Sequence, residues 1–292
     1  MSTSTTDHVG EHSNKTGLLV RRIVAYTVLC ILTFLCLYPF LVMIINATRS
    51  HPDIQKGFKV TIGGAFGSNF KNVFNNTDIP LINGLRNSLI VSGCCTILST
   101  YFSALTAYGI HVYEFRLKKF AFAFILVIMM VPAQVSALGF YRMMYDLELT
   151  NNLIPLIIPS IAAPSTFFFM KQYMESSLPL EIVEASRIDG CNEFRTFNTI
   201  VMPIMKPAMA VQGIFTFVAN WNNYFIPSLL IDKKEMKTLP IMVAQLRNAD
   251  FVKFDMGQVY MMIFIAIIPV IVVYLALSKF IIRGIALGSV KG

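Results

Sequence analysis

At 292 residues, 55% hydrophobic and only 14% charged, the chain has about half the charge density of a soluble domain. Its apolar residues are gathered into runs that match the ~20 residues a helix needs to cross a bilayer. The net charge of +8 does not mark a nucleic-acid binder, because the bases stand singly or in pairs in loops and at segment ends, where membrane helices need them. A soluble domain is excluded, and an all-α integral membrane protein is expected.

Residues 1–22 form a polar tail, followed by six predicted spans over 23–46, 87–109, 120–144, 153–173, 208–231 and 259–282. The first is too long for a signal-peptide core and has no small-x-small cleavage site, so it reads as a retained anchor. Residues 47–86 make an external loop, 87–282 a core domain, and 283–292 a closing tail. Pro39, Pro132, Pro155, Pro159, Pro164, Pro227 and Pro269 punctuate the spans. In lipid they persist only where neighbouring helices or a wet cavity satisfy the freed backbone groups.

Total charge divides almost evenly between the two sides, so the short loops decide orientation. The stretch at 111–119 carries Arg116, Lys118 and Lys119, while the next connection has Asp146 and Glu148 and no base. The first is then inside, both termini are cytoplasmic, and the long connections 47–86 and 232–258 face out. Cys30, Cys36, Cys94 and Cys95 fall in apolar segments, as small buried hydrophobes rather than a disulfide framework or zinc site. Cys191 lies in a polar loop.

That loop, about 175–207, is the least expected feature of so apolar a chain. Pro179 suits a first helical turn, and LPLEIVEASRI stops at Asp189-Gly190, with Gly190 as a left-handed cap. Asn192 caps a second short helix, which Pro203 is expected to end by disfavouring helical geometry at Met202. Glu181, Glu184 and Ile188 share a face by spacing. Ala185, Ser186 and Gly190 are small enough to let another surface approach. Five acids against three bases from Glu175 to Pro207 exclude a DNA-binding helix-turn-helix. A lipid-surface helix would want a basic face. Docking onto another protein remains.

The stretch EASRIDGCNEFRTFNTIVMP resembles the cytoplasmic signature loop of ATP-binding-cassette (ABC) importer permeases. It matches at Glu184, Ala185, Gly190, Ile200 and Pro203, and departs at Ser186 and Met202. NSLIVSG (87–93), AYGI (107–110), FVANWNNYFIP (217–227) and the closing RGIALGSVKG are similar to the sugar-importer branch of that family, of the type of the second maltose permease. The resemblance implies a type I importer permease fold with a core of about five helices, in a bacterial cell membrane. It implies four kinds of partner: a second permease, around which the first span wraps, two ATPase subunits, an external solute-binding protein and a sugar substrate. The loop would be the coupling helix, with Glu181, Glu184, Ala185, Ser186, Asp189, Gly190 and Pro203 at the ATPase. Glu184 would meet a basic residue there. The tail residues Gly288, Ser289 and Lys291 would reach toward the ATPase seam.

The chain's own residues are consistent with this. No GxxxxGK[ST] phosphate loop occurs, so the permease binds no cofactor itself. ATP and Mg2+ belong to the partner ATPases, and energy arrives by contact. Candidate pathway residues are the polar groups at membrane depth: Gln212, Asn220, Trp221, Asn222, Asn223 and Tyr224 in the fifth span, and Gln134 and Ser136 beside Pro132 in the third. Amides and aromatic faces suit sugars, although for any one of them interhelical bonding is the plainer reading. A secondary transporter would need ionisable groups inside its spans, which are almost absent. His8, His12, His51 and His111 are scattered outside the spans, and no catalytic motif appears. A polyamine or glycerol-phosphate permease of the same family is the nearest alternative.

Overall fold

The computed structural model describes residues 7–248 and 254–288, with side chains over 17–248 and 254–280. The described residues are helical throughout their ordered elements. In chain order these are α1 (Asp7–Ala47), α2 (His51–Gln55), α3 (Phe66–Phe74), α4 (Leu81–Val112), α5 (Lys118–Met129), α6 (Ala133–Asp146), α7 (Ile154–Ile157), α8 (Pro164–Ser177), α9 (Leu180–Ile188), α10 (Glu193–Thr196), α11 (Met202–Trp221), α12 (Phe225–Leu230), α13 (Leu239–Arg247) and α14 (Met256–Gly288). Five helical stretches are long and apolar enough to cross a membrane, or six if the bent pair α5–α6 counts as one.

The predicted spans are all present, with altered ends. The helix expected at 23–46 begins at Asp7, inside the predicted tail. That expected at 87–109 starts earlier, at Leu81, and runs to Val112. The stretch at 120–144 is two helices bent by 93°, because Pro132 cannot supply the backbone donor that would carry α5 onward. The fourth stretch passes through a 3-10 turn at Ile158–Ile161 before α8. The fifth breaks at residues 222–224, between α11 and α12.

One correction concerns Pro203. It does not end a helix, because α10 continues through a π-helical turn, Phe197–Val201, directly into α11. Wide π turns shift the local carbonyls, which removes the clash that a proline ring makes one turn back in a regular helix. The candidate membrane helix therefore starts at Glu193 rather than near Ala208.

The chain forms two compact units, residues 1–70 with 255–264, and 71–254 with 265–292. In the first, the segment after α1 folds on buried polar groups. The Arg49 guanidinium, 4% exposed, donates to Asn46 Oδ1 (3.2 Å), to Gly57 O (3.1 Å) and to Asp53 O. Asn69 Nδ2 donates to Ala47 O and Arg49 O, both at 2.9 Å. A side chain at Gly63 would meet Thr48 O at 2.5 Å, so only glycine admits that close approach.

In the second unit α4, α8 and α11 pack together. Ala104, Ala107, Tyr108, Phe167, Met170, Phe197 and Met205 form its main core. Alanines on α4 let the bulky side chains of α8 and α11 close in. Small residues promote tight packing of membrane helices in this way. A second cluster joins Val91 and Cys95 of α4 to Met144, Leu156, Leu230 and Ile241. Cys95 Sγ donates to Leu156 O at 3.3 Å, and all five cysteines are free.

Candidate functional site

The polar loop at 175–207 folds as predicted up to Asn192. Pro179, expected in the first turn, instead stands at the N-cap just before α9, extended at φ −61° and ψ 138°. The far end of α9 closes with a Schellman pair, Cys191 N to Ser186 O and Gly190 N to Arg187 O, both at 3.0 Å. Gly190 holds φ +77°. Its absent Cβ would touch nothing within 4 Å, so the need for glycine is conformational. Asn192 Oδ1 then accepts from Arg195 N at 2.8 Å, capping α10.

Two sets of bonds pin the short helices. Ser186 and Thr196, 3% and 0% exposed, share a hydroxyl–hydroxyl bond of 3.0 Å between α9 and α10. Ser186 therefore faces inward. Its small size serves the packing of α9 on α10, not the approach of another molecule. Glu193 is the second anchor. It accepts from Arg187 Nε at 2.7 Å and from the Tyr108 hydroxyl of α4 at 2.7 Å. Arg187 also lies over the Tyr113 ring, 5.5 Å from its centroid. The hydrogen bond that Arg187 donates to the Glu193 carboxylate holds the Arg187 proton above the usual guanidinium affinity. His111 Nε2 lies 3.1 Å from Leu178 O, which makes it the donor and ties the start of the loop to the same end of α4.

The opposite face is bare. Glu181, Glu184, Ala185 and Asp189 are exposed, Ile188 is 86% exposed and Phe194 is 72% exposed. An exposed face with apolar side chains among carboxylates has the make-up of a docking surface. Phe194, Arg187, Glu193 and Tyr108 escaped the sequence reading. An aromatic in the first turn of a helix within a polar loop is the signal that points to Phe194. No comparable signal marks Tyr108, which belongs to a span. Pro203 is exposed on α11, beyond the pinned pair.

The candidate pathway residues do not converge on one place. Ser136, Asn220 and Asn223 line one cavity of about 410 Å3 within the second unit. Gln134, two residues before Ser136 on α6, is exposed. Trp221 is 3% exposed, stacks on Phe217 at 5.6 Å and donates Nε1–H to Ala266 O at 3.1 Å, so it joins α11 to α14. Gln212 is buried, Asn222 is exposed, and Tyr224 borders a smaller recess with Gln245 and Asn248. Of the tail residues, Gly288 ends α14, and Ser289 and Lys291 lie outside the described residues. No group of three or more His, Cys, Asp or Glu that could hold a metal occurs among the described residues.

Comparison with known proteins gives a consistent set of relatives. Residues 99–286 match the family described as binding-protein-dependent transport system inner membrane component. The arabinooligosaccharides transport system permease protein AraQ of Bacillus subtilis is 32% identical over 279 residues, 94% of this chain and 97% of that protein. The lactose transport system permease protein LacG of Rhizobium radiobacter is 30% identical, covering 92% and 96%. The B. subtilis melibiose/raffinose/stachyose import permease protein MelC is 30% identical over 87% and 91%. Among solved structures, a bacterial ABC transporter involved in import of the acidic polysaccharide alginate superposes with a TM-score of 0.76. It covers 96% of this chain and 99% of that one at 22% identity.

Proposed function

This chain belongs to the family of binding-protein-dependent transport system inner membrane components, and from that premise we infer that it forms half of the translocation pathway of an ATP-driven oligosaccharide importer. It is a multi-pass permease subunit. A second permease supplies the other half, two ATPase subunits holding ATP and Mg2+ drive it, and an external binding protein delivers the solute. The names of the relatives support a sugar as cargo. The exposure of α1 supports the second permease: every residue from Gly17 to Leu41 is exposed within its own chain, yet from Ile23 to Leu41 the helix carries no charged side chain and needs lipid or protein against it.

The observation that carries the coupling role is the pinned helix pair α9–α10, rigid on its inner side and bare on its outer side. A prominence tied to α4 by Tyr108 and continuous with α11 passes a push from a partner into two core helices at once. In the complete importer, Glu184→Arg reverses a charge on that face while touching none of the pinning bonds. Sugar uptake is expected to fall at least about tenfold while the ATPase subunits still hydrolyse ATP. Wild-type uptake by this variant would sink the docking role. The reading also puts the loop and both termini in the cytoplasm. Cys191 should therefore react with a membrane-impermeant maleimide in inside-out vesicles and not in right-side-out ones, with Cys191→Ser as the blank.

A further inference from the structure

The short helix α3 is fastened to the ends of two spans by one buried side chain. Asn69 donates to Ala47 O, the last residue of α1, and to Arg49 O, both at 2.9 Å. The same amide abuts Gly257, the second residue of α14, where a Cβ would meet Asn69 Oδ1 at 2.7 Å. Both α1 and α14 are long and apolar enough to cross a membrane. A helix tied to their ends lies at the bilayer boundary.

Two phenylalanines of this segment reach back along the spans. Phe66 of α3 meets Phe264 edge to face at 6.1 Å, and Phe264 lies eight residues into α14, roughly 12 Å along its axis. Phe58 packs on Tyr38 at 5.9 Å, nine residues, or roughly 13 Å, before the end of α1. Both contacts fall in stretches without a charged residue, 23–48 and 256–278. They therefore stand at the level of lipid rather than of water.

Beside these rings an apolar stripe is left open. Phe70 and Phe74 follow Phe66 at four-residue spacing, so the three share one side of α3, and all three are exposed. Val60 and Ile62, shortly before the helix, are exposed too, Ile62 at 79%. The adjoining side of α3, with Asn69 and Val73, is buried, and the remaining side carries Ser68, Lys71 and Asn72. Apolar and polar stripes side by side are the make-up of a helix that lies in the headgroup layer. Charge points the same way. From residue 50 to 77 the bases are Lys56, Lys59 and Lys71, all exposed, and the one acid is Asp53, which pairs with Lys56 at 3.1 Å. Lysine is depleted from protein interfaces and favoured beside anionic headgroups.

We propose that α3 is a membrane-surface anchor, with Phe70 and Phe74 sunk into lipid and Lys59 and Lys71 held by the phosphates of anionic headgroups. On the orientation inferred above, the leaflet is the outer one. The occupant is lipid because the stripe continues the apolar surface of α1 and α14 through the Phe58–Tyr38 and Phe66–Phe264 contacts. Through Asn69 the anchor holds the ends of both spans at one depth.

The test puts the photoreactive residue p-benzoylphenylalanine at position 70, and separately at 74, of the permease within the complete importer. The importer sits in nanodiscs of phosphatidylcholine and phosphatidylglycerol in equal amounts, with its binding protein added. After irradiation the probe-bearing peptide is expected to gain the mass of a phospholipid at both positions. The same probe at Asn72, on the polar side, should gain at least about fivefold less. A cross-link to the second permease or to the binding protein in place of lipid would overturn the anchor and make the stripe a protein interface. Absence of lipid adducts at both positions overturns it as well. At position 70, phosphatidylglycerol adducts should outnumber phosphatidylcholine adducts about threefold or more. Lys59→Gln combined with Lys71→Gln should bring that ratio to about one. Equal adducts with both lysines present would overturn their part in the site.

Discussion

Helices α1 and α4 are both long and apolar, and the chain treats them in opposite ways. The most apolar 18-residue window of Gly17–Ala47 has mean hydropathy 2.8 and is 11% buried, whereas that of Leu81–Val112 has 1.6 and is 39% buried. The less hydrophobic helix is thus the more buried one, the reverse of the rule in water. Bulky Leu, Ile and Phe cover α1, which makes few polar bonds beyond Thr33 Oγ1 to its own Leu29 O at 2.7 Å. Small and hydroxylated residues, among them Ser88, Ser92, Cys95, Ser99, Ser103, Ala104 and Ala107, form the buried face of α4. Lipid is as apolar as leucine, so apolarity gains nothing by leaving it. Close packing and hydrogen bonds decide what is inside.

That contrast is sharpest at Ala104, fully buried in the core with Phe167 and Met170. Ala104→Phe should destabilise the permease by about 3 kcal/mol or more through overpacking. A thermal-unfolding midpoint in detergent lower by several degrees, or failure to assemble, would show it. An unchanged midpoint would mean that α4 is not the packing hub.

A middle-sized effect is expected at the polar end of the same helix. Glu193→Ala leaves the Tyr108 hydroxyl and the Arg187 guanidinium without their acceptor, at a cost of about 1–3 kcal/mol. The consequence for function should exceed that for stability: less sugar moved per ATP hydrolysed by the importer, because the prominence is no longer tied to α4. Should that ratio stay constant while the melting point drops, Glu193 serves folding alone.

The smallest effect belongs to α1. Leu29 is 56% exposed within the chain, so Leu29→Ala should shift the stability of the isolated permease by no more than about 0.5 kcal/mol. Replacing Leu29, Leu32 and Phe40 together with alanine should nevertheless reduce co-purification of the second permease. A large melting shift in the isolated subunit would mean that α1 packs against its own chain.

Different parts of the molecule were legible in the sequence to different degrees. The capped helix pair α9–α10 was readable in detail, because caps and turns are local: Pro179, Gly190 and Asn192 each act within four residues. Pro132 was likewise visible as a proline within the third span, while the 93° angle between α5 and α6 was not. The passage of α10 into α11 through a π turn was not, since a proline reads as a helix end unless neighbouring packing holds the helix together across it. Ser186 was read from its size, yet whether a small residue faces a partner or its own neighbour depends on Thr196, ten residues away.

The sequence by itself determined that the chain lives in a bilayer, where its spans lie, and that a capped pair of short helices interrupts them, because hydropathy and capping are properties of neighbouring residues. Only the tertiary structure decided which polar side chains share a space. Ser136, Asn220 and Thr238 meet because separate helix breaks bring them together, while Trp221, beside Asn220 in the chain, turns away to bond α14. Such meetings depend on packing between segments up to about 150 residues apart, which no local pattern records.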